Sequence, residues 1–107
     1  MANIPKKVLI ERLAEKTNTK RYVVRKVLQT FLDTLVEELA NGNRFEFRDF
    51  GVFEVVHRKE RIALNPKTLE KVKVPSKAVV QFKPGKAMRD SVNKAFDEGK
   101  LDEKEIR

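Results

Sequence analysis

The sequence is poor in the residues that support catalysis and metal binding. It has no cysteine and no tryptophan, and its single histidine is His57. Without cysteine the chain has no disulfide, no thiolate nucleophile and no sulfur ligand for a metal ion. One imidazole leaves only carboxylates as further ligands, which is an unusual set for zinc. We therefore expect no metal site, no cofactor and no catalytic residue.

Long apolar runs are also missing. The 107 residues are 40% hydrophobic and 37% charged, which is enough for one small domain with little room for a deep substrate cavity. No stretch approaches the ~18 consecutive apolar residues of a membrane span, and the N-terminal residues lack the apolar stretch of a signal peptide. The sequence predicts an intracellular protein with no membrane partner and no small-molecule substrate.

Basic residues are in excess, and the excess is concentrated in one segment. Lys and Arg number 24 against 16 Asp and Glu, which gives a formal net charge of +8. Residues 54–94 hold 11 basic and 4 acidic side chains, whereas residues 95–107 hold 3 and 5. Such a segment is typical of proteins that bind a polyanion, most commonly nucleic acid. The alternative at this point is a lysine-rich surface that serves solubility alone.

Helical periodicity dominates the first 40 residues. Apolar residues at helical spacing predict a short amphipathic helix over residues 5–16. A polar break at residues 17–19 supplies capping side chains for a second helix, which ends before Asn41-Gly42. The apolar stripe of this second helix, over residues 23–39, is too wide for the first helix and a small sheet to cover. We therefore expect a second copy of the chain to cover it.

After the second helix the period changes to two, which predicts short strands. Phe45 and Phe47 alternate with charged residues, and residues 52–56 begin a second strand after a turn. Four of the seven phenylalanines lie within residues 45–53. We interpret them as core residues rather than as a platform for stacking bases.

Residues 57–77 are the most unusual stretch, because they are strongly basic and contain few large apolar groups. A turn at residues 65–68 would divide them into a hairpin of about ten residues per side. A hairpin with so little to bury should project from the body and become ordered around a ligand. The alternative is a disordered basic loop.

The chain then returns to the body and enters a third amphipathic helix. Lys83, Lys86 and Arg89 surround the start of this helix, a place suited to a phosphate. Gly85-Lys86 does not match a nucleotide-hydrolysing loop, since the preceding glycine and the following Ser or Thr are missing. Residues 97–107 form a polar tail, for which we expect fraying or a short exposed helix.

Three short segments have a distinctive composition and spacing. They are Phe50-Gly51-Val52-Phe53-Glu54-Val55, Asn65-Pro66-Lys67-Thr68 and Phe82-Lys83-Pro84-Gly85-Lys86-Ala87. In this order they resemble the signature segments of the bacterial histone-like HU and integration host factor family, over about residues 3–94. The resemblance implies an α+β fold and an intertwined dimer, identical or mixed, with a helical base, a small antiparallel sheet and two protruding β-ribbon arms. Residues 1–96 would form one HU-like domain, with the arm at about residues 56–77.

The resemblance also implies an architectural, nucleoid-associated DNA-binding protein of the cytoplasm. It would bend and compact duplex DNA through minor-groove arms with low sequence specificity and without enzymatic activity. Pro66 would wedge between base pairs. The other arm residues implied to contact DNA are Arg58, Lys59, Arg61, Asn65, Lys67, Lys71, Lys73 and Lys77. Flanking phosphates would be held by Lys6, Arg48, Lys83, Lys86 and Arg89.

Two residues at the arm tip depart from the family pattern. The family commonly has Arg before the Asn-Pro and Gly after the Thr, where this chain has Leu64 and Leu69. We expect a turn that does not use positive φ, and two leucines that face each other as a cross-strand pair or enlarge the wedge.

Two alternatives to this function stay open. One is a site-specific DNA-bending regulator similar to integration host factor. The other is an interaction or assembly protein whose basic arm binds RNA or an acidic partner.

Overall fold

A computed structural model of the chain describes residues 2–101. The elements are α1 (Lys6–Thr17), α2 (Arg21–Ala40), β1 (Phe45–Phe47), β2 (Gly51–Arg58), β3 (Arg61–Leu64), β4 (Lys71–Val74), β5 (Lys77–Pro84) and α3 (Lys86–Asp97). The predicted α+β class is confirmed. The described residues form two compact units, 2–38 with 92–101 and 39–91. One domain over residues 1–96 stays a prediction.

The first helix ends in a backbone motif that the sequence analysis assigned differently. Asn18 adopts the left-handed conformation with φ 50°, and the Thr19 N–H donates to the carbonyl of Ala14 at 3.0 Å. This is a Schellman closure of α1. The predicted capping of α2 by side chains of residues 17–19 is wrong, because within the described residues no N–H of α2 donates to them, and the Thr17 and Thr19 hydroxyls donate backward, to the carbonyls of Leu13 and Thr17.

Few apolar side chains are buried in this protomer. Within residues 2–101 the buried ones are Ile10, Ala14 and Leu39. The stripe of α2 is largely open, with Val27 64% and Val36 68% exposed. An apolar stripe of this extent needs a partner surface to exclude water from it.

The second unit contains a three-stranded antiparallel sheet in the order β1-β2-β5. Phe53 in the central strand lies opposite Phe45 on one side and Phe82 on the other. The rings of Phe53 and Phe82 are 4.6 Å apart between centroids, and Phe47 and Phe50 also join the cluster. These rings pack on one another, but none of them is buried in this protomer and Phe50 is 48% exposed, so their role as core residues stays a prediction.

Glycine is required at two positions where the backbone passes close to its neighbours. A Cβ on Gly51 would lie 2.6 Å from ring atoms of Phe82 and 2.7 Å from the carbonyl oxygen of Lys83. A Cβ on Gly85 would lie 3.0 Å from the backbone of Asp49. Both glycines belong to the segments that carry the family resemblance. Close approach of the backbone therefore explains why these two positions require glycine.

Strands β3 and β4 form a separate two-stranded antiparallel sheet. We use the term arm for residues 59–76, which join the three-stranded sheet at the Arg58–Lys77 pair. The predicted hairpin contains an interruption, because pairing stops after the Arg58–Lys77 pair and resumes at the Arg61–Val74 pair. The register is nevertheless unchanged, since each strand advances by three residues between these two pairs.

The arm tip differs from prediction at both leucines. Leu69 has φ 60°, so the turn does use a left-handed residue, although leucine is disfavoured there by about 1–2 kcal/mol. Leu64 lies opposite Lys71 and not opposite Leu69, so the predicted leucine pair is wrong. The reason is that the turn closes between Asn65 and Glu70, which places Leu69 inside the loop.

The third helix ends in a closure at Gly99, which the sequence analysis did not single out. Gly99 has φ 76°, and the Lys100 N–H donates to the carbonyl of Ala95 at 2.9 Å. The described residues after α3 therefore close the helix, and the remainder of the predicted tail, residues 102–107, lies outside the described residues. No helix within residues 2–101 is long and apolar enough to cross a membrane.

Candidate nucleic-acid interface

Hydrogen bonds within the turn hold the tip of the arm. The Asn65 N–H donates to the carbonyl of Glu70 at 2.8 Å, and the Asn65 side-chain oxygen accepts from the Lys67 N–H at 2.9 Å. The second bond is an Asx turn, which a short polar side chain before proline favours. Pro66 is exposed at this turn, and Lys67 beside it is also exposed. Asn65 therefore acts by shaping the loop that presents the proline.

The register divides the arm side chains between two faces. Directly opposite residues of an antiparallel pair share a face. One face, which we call the lysine face, carries Ile62, Leu64, Lys71 and Lys73. The other, the arginine face, carries Arg61, Ala63, Val72 and Val74. The structure therefore brings together Lys71 and Lys73, and it separates them from Arg61.

Four predicted DNA-contacting cations gather where the arm joins the three-stranded sheet. Arg58, Lys59, Arg61 and Lys77 line an open cleft of about 600 Å³ around the interruption. Glu60 is the one acidic residue in the lining of this cleft. The cleft therefore carries a positive potential suited to a phosphate backbone.

One arm lysine has an acidic partner. The Lys73 Nζ lies 3.2 Å from a carboxylate oxygen of Glu60, and both side chains are more than half exposed, at 72% and 53%. An exposed pair of this kind contributes little to stability and can be exchanged for a phosphate. Lys71 forms no ion pair within the described residues.

Lys83 is held by a carboxylate of the neighbouring strand. Its Nζ lies 2.9 Å from an oxygen of Glu54, whose side chain is only 22% exposed. The hydrogen bond from Lys83, assisted by the positive charge of Lys83 and Arg44, holds the pKa of Glu54 below its ordinary value. The sequence analysis did not identify Glu54 as a neighbour of Lys83. The only sequence signal was the alternation of side chains along β2 and β5, which places both residues on one face of the sheet.

The remaining predicted phosphate contacts of this unit are exposed. Lys86 is the first residue of α3, and the Arg89 N–H donates to the carbonyl of Gly85 at 3.1 Å. The first turn of α3 contains no acidic residue. Arg48 lies in the turn between β1 and β2.

In the other unit, Lys6 belongs to a basic cleft between α1 and α2. Its Nζ donates to the side-chain oxygen of Gln29. The cleft has a volume of about 380 Å³ and is lined by Lys6, Lys7, Ile10, Glu11, Arg21, Arg25 and Gln29. Sequence reasoning identified Lys6 alone. The helical spacing of Arg21 and Arg25 places both on one face, but their approach to Lys6 depends on how α1 packs on α2.

The described residues show no cluster of metal ligands. Within residues 2–101, no group of three or more His, Asp or Glu side chains could hold a metal ion. His57 is exposed on β2, opposite Ala78.

Comparison with known proteins places this geometry in a family. Residues 4–93 match the model of the family described as bacterial DNA-binding protein. The probable DNA-binding protein HU of Chlamydia trachomatis is 41% identical over 90 residues, which are 83% of this chain and 90% of that protein. The integration host factor subunit beta of Buchnera aphidicola is 43% identical over 89 residues, which are 82% of this chain and 95% of that protein.

A solved structure shows the same fold. The Anabaena HU–DNA cocrystal structure superposes with a TM-score of 0.72 at 36% identity, and the match covers 78% of this chain and 91% of that one. Fold, signature segments and relatives agree, and the chain belongs to the bacterial DNA-binding protein family of HU and integration host factor.

Proposed function

We propose that this chain is an architectural protein that bends duplex DNA by placing its arms in the minor groove. The observation that carries the proposal is the arm itself, a basic two-stranded ribbon whose tip presents an exposed Pro66 on a hydrogen-bonded turn. Arm residues contribute nothing to a buried core, because no residue from 52 to 101 is buried. Folding stability therefore does not account for the ribbon, whereas binding to a polyanion does.

The mechanism separates attraction from deformation. Exposed lysines and arginines along the arm and at the start of α3 contact phosphates, which positions the DNA without reading its sequence. Pro66 inserts between base pairs and kinks the duplex. Unstacking costs about a few kcal/mol per step, and the phosphate contacts that a bent duplex allows offset this cost.

The working unit is a dimer. Proteins of this family are dimers, and the open apolar stripe of α2, with Val27 64% exposed, provides the surface for a second copy. Two arms then bracket one duplex. Whether both chains are identical does not change this mechanism.

We further propose low sequence specificity and an association with the nucleoid. The arm cations that face solvent are suited to phosphates, and the lysine face offers the minor groove two aliphatic side chains that carry no hydrogen-bonding group with which to read base edges. The proposed function includes no catalytic role.

The likeness to an integration host factor subunit favours site-specific DNA bending as a second candidate function. DNA footprints confined to discrete sites would support this second candidate.

Ring closure of short DNA fragments tests the proposal. The chain should increase ring closure of fragments shorter than the persistence length of about 150 bp. The Pro66→Ala variant should lower this effect by about tenfold, which corresponds to about 1.4 kcal/mol of bending free energy. The salt dependence of binding should stay unchanged, because the phosphate contacts remain.

The matched control is Pro5→Ala, which removes an exposed proline at the start of α1. This control should close rings as well as the unaltered chain does. A saturating amount of the unaltered chain that leaves ring closure at its protein-free level would contradict the proposed function.

A further inference from the structure

We propose that the lysine face of the arm makes this protein select duplex DNA over double-stranded RNA, through apolar contact of Ile62 and Leu64 with deoxyribose. The inference deepens the proposed function and rests on it, because it requires the arm to lie in a minor groove. The two-stranded sheet and its register supply the geometry.

The first observation is that two large aliphatic side chains of β3 are exposed to solvent. Ile62 is 70% exposed and Leu64 is 58% exposed. They are two residues apart on β3, so they lie on one face about 7 Å apart along the strand. Exposed aliphatic groups of this size contribute nothing to folding where they stand, and they gain free energy from any apolar surface that covers them.

The second observation is the row of cations directly across from them. Lys73 lies opposite Ile62, and Lys71 lies opposite Leu64. One edge of the lysine face therefore carries the two aliphatic side chains, and the other carries the two lysines. Glu60 lies on the same face beside Ile62, and its exposed ion pair with Lys73 can be exchanged for a phosphate. A minor groove has the matching arrangement, with apolar sugar walls below a rim of phosphates.

The arginine face lacks this arrangement. Its four residues include one cation, Arg61, and its apolar members are less exposed, with Val72 at 45% and Ala63 and Val74 only partly exposed. The two faces therefore differ in both charge and aliphatic exposure. This difference indicates that the lysine face is the one turned toward the groove.

The preference for DNA follows from the chemistry of the sugar. The walls of a DNA minor groove carry no hydroxyl at C2′, whereas the minor groove of A-form RNA is wide and shallow and displays a 2′-hydroxyl on every sugar. Covering that hydroxyl with Ile62 or Leu64 would remove its water and offer no hydrogen-bond partner in return. Contact with RNA is therefore penalised at both side chains, and contact with deoxyribose is not.

Binding titrations of DNA and RNA duplexes of identical length and sequence test the inference. The double variant Ile62→Thr with Leu64→Asn places hydrogen-bonding groups on this face. The ratio of DNA affinity to RNA affinity should fall by about tenfold or more. The salt slope on DNA should stay the same, because no cation is lost.

Val72→Thr is the matched control, since it makes the same kind of change on the arginine face. It should leave the DNA-to-RNA ratio within about twofold of the unaltered chain. Lys71→Gln is a second control, and it should weaken binding to both duplexes and lower both salt slopes. Circular dichroism and thermal melting verify that each variant is folded.

The outcomes separate this inference from the proposed function. An unchanged ratio in the double variant, or an equal fall in Val72→Thr, would overturn the inference. If ring closure shows that the same preparations still bend DNA, the proposed function survives that result. If the unaltered chain does not bend DNA, both are overturned.

Discussion

At the scale of single residues, Lys83 has a contact within the fold and a proposed contact with DNA. Its ammonium lies 2.9 Å from Glu54, and it is also one of the residues expected to hold a phosphate. A carboxylate that neutralises a lysine lowers the attraction of that lysine for DNA. We therefore expect Glu54 to moderate DNA affinity without touching DNA.

Replacing Glu54 by Gln should strengthen DNA binding. The substitution keeps the size of the side chain and removes its charge, which frees Lys83 for a phosphate. We expect a few-fold higher affinity at low salt and a salt slope steeper by about 0.9 for each lysine that gains a phosphate. Anisotropy titrations over a salt series measure both. The control Glu60→Gln, beside Lys73 in the arm, should have a similar effect, so a gain confined to Glu60→Gln would contradict the role of Glu54.

Acidification provides an independent measurement of the same pair. Because Lys83 lowers the pKa of Glu54 in the folded chain, the pair stabilises the fold above the ordinary glutamate pKa of about 4.3, and this contribution is lost as the pH falls through the lowered value. The Glu54→Gln variant has no such group to titrate. Its melting temperature should therefore fall less than that of the unaltered chain between neutral pH and pH of about 3.

Leu69 shows where residue-level prediction stops. Leucine is disfavoured at positive φ, so the sequence favoured a turn without it, yet Leu69 has φ 60°. The cause is the closing bond between Asn65 and Glu70, which fixes the loop length. A loop of this length requires a left-handed residue at position 69, and leucine occupies that position. That bond depends on strand register, which residue preferences alone do not determine.

At the scale of elements, the arm is one hairpin with a gap in its hydrogen bonding. The Asn65 N–H donates to the carbonyl of Glu70, which is one of the two bonds of a hydrogen-bonded pair. Such positions recur at every second residue, so Lys59 and Ser76 should occupy one as well. They do not pair. Pro75 precedes Ser76 and holds φ near about −65°, whereas antiparallel strands prefer about −140°. We infer that the proline interrupts the ladder, and we call the unpaired residues 59–60 and 75–76 the joint of the arm.

Replacing Pro75 by Thr should close this gap. The ladder would then run from β2 into β3, and the Lys59 and Ser76 amides would exchange their hydrogens about tenfold more slowly. NMR-detected hydrogen exchange measures this directly. Ser76→Thr is the control, because it raises strand preference and keeps the proline. Unchanged exchange in Pro75→Thr would mean that the gap has another cause.

The helices were the easiest elements to predict, and the joint was the hardest. The period of apolar residues predicted α1 over residues 5–16, and the helix spans Lys6–Thr17. Asn41-Gly42 marked the end of α2, which stops at Ala40. In the arm, both faces mix polar and apolar residues, so no pattern showed that Ile62 and Leu64 share a face with Lys71 and Lys73.

At the scale of the whole molecule, assembly and folding depend on each other. Ile10, Ala14 and Leu39 are the buried apolar side chains of residues 2–101, which is a small core for a chain of this length. Residues of α1 and α2 line an apolar groove of about 410 Å³ that includes Val23, Val27 and Leu28. A second copy that covers this groove supplies the core that one chain lacks.

The melting temperature should therefore rise with protein concentration. Val27→Asp should lower it and reduce the dimer fraction at micromolar concentration, because a charge in the apolar interface costs several kcal/mol. Differential scanning fluorimetry over a dilution series and analytical ultracentrifugation measure these quantities. The control is Ile62→Asp, which places the same charge on an equally exposed residue of the arm. A concentration-independent melting temperature for the unaltered chain would contradict dimer-dependent folding.

The unchanged register on both sides of the arm joint limits how this ribbon can evolve. Side chains alternate between faces, so deleting one residue from one limb would turn Ile62 and Leu64 to the opposite side and carry the lysines out of alignment. We therefore expect single-residue insertions and deletions in either strand of the arm to be disfavoured, except where a β-bulge absorbs the extra residue. Tolerated length variants should gain or lose residues in equal, even numbers on both strands of the arm. Point substitutions on either face keep the register and can change which ligand the arm binds.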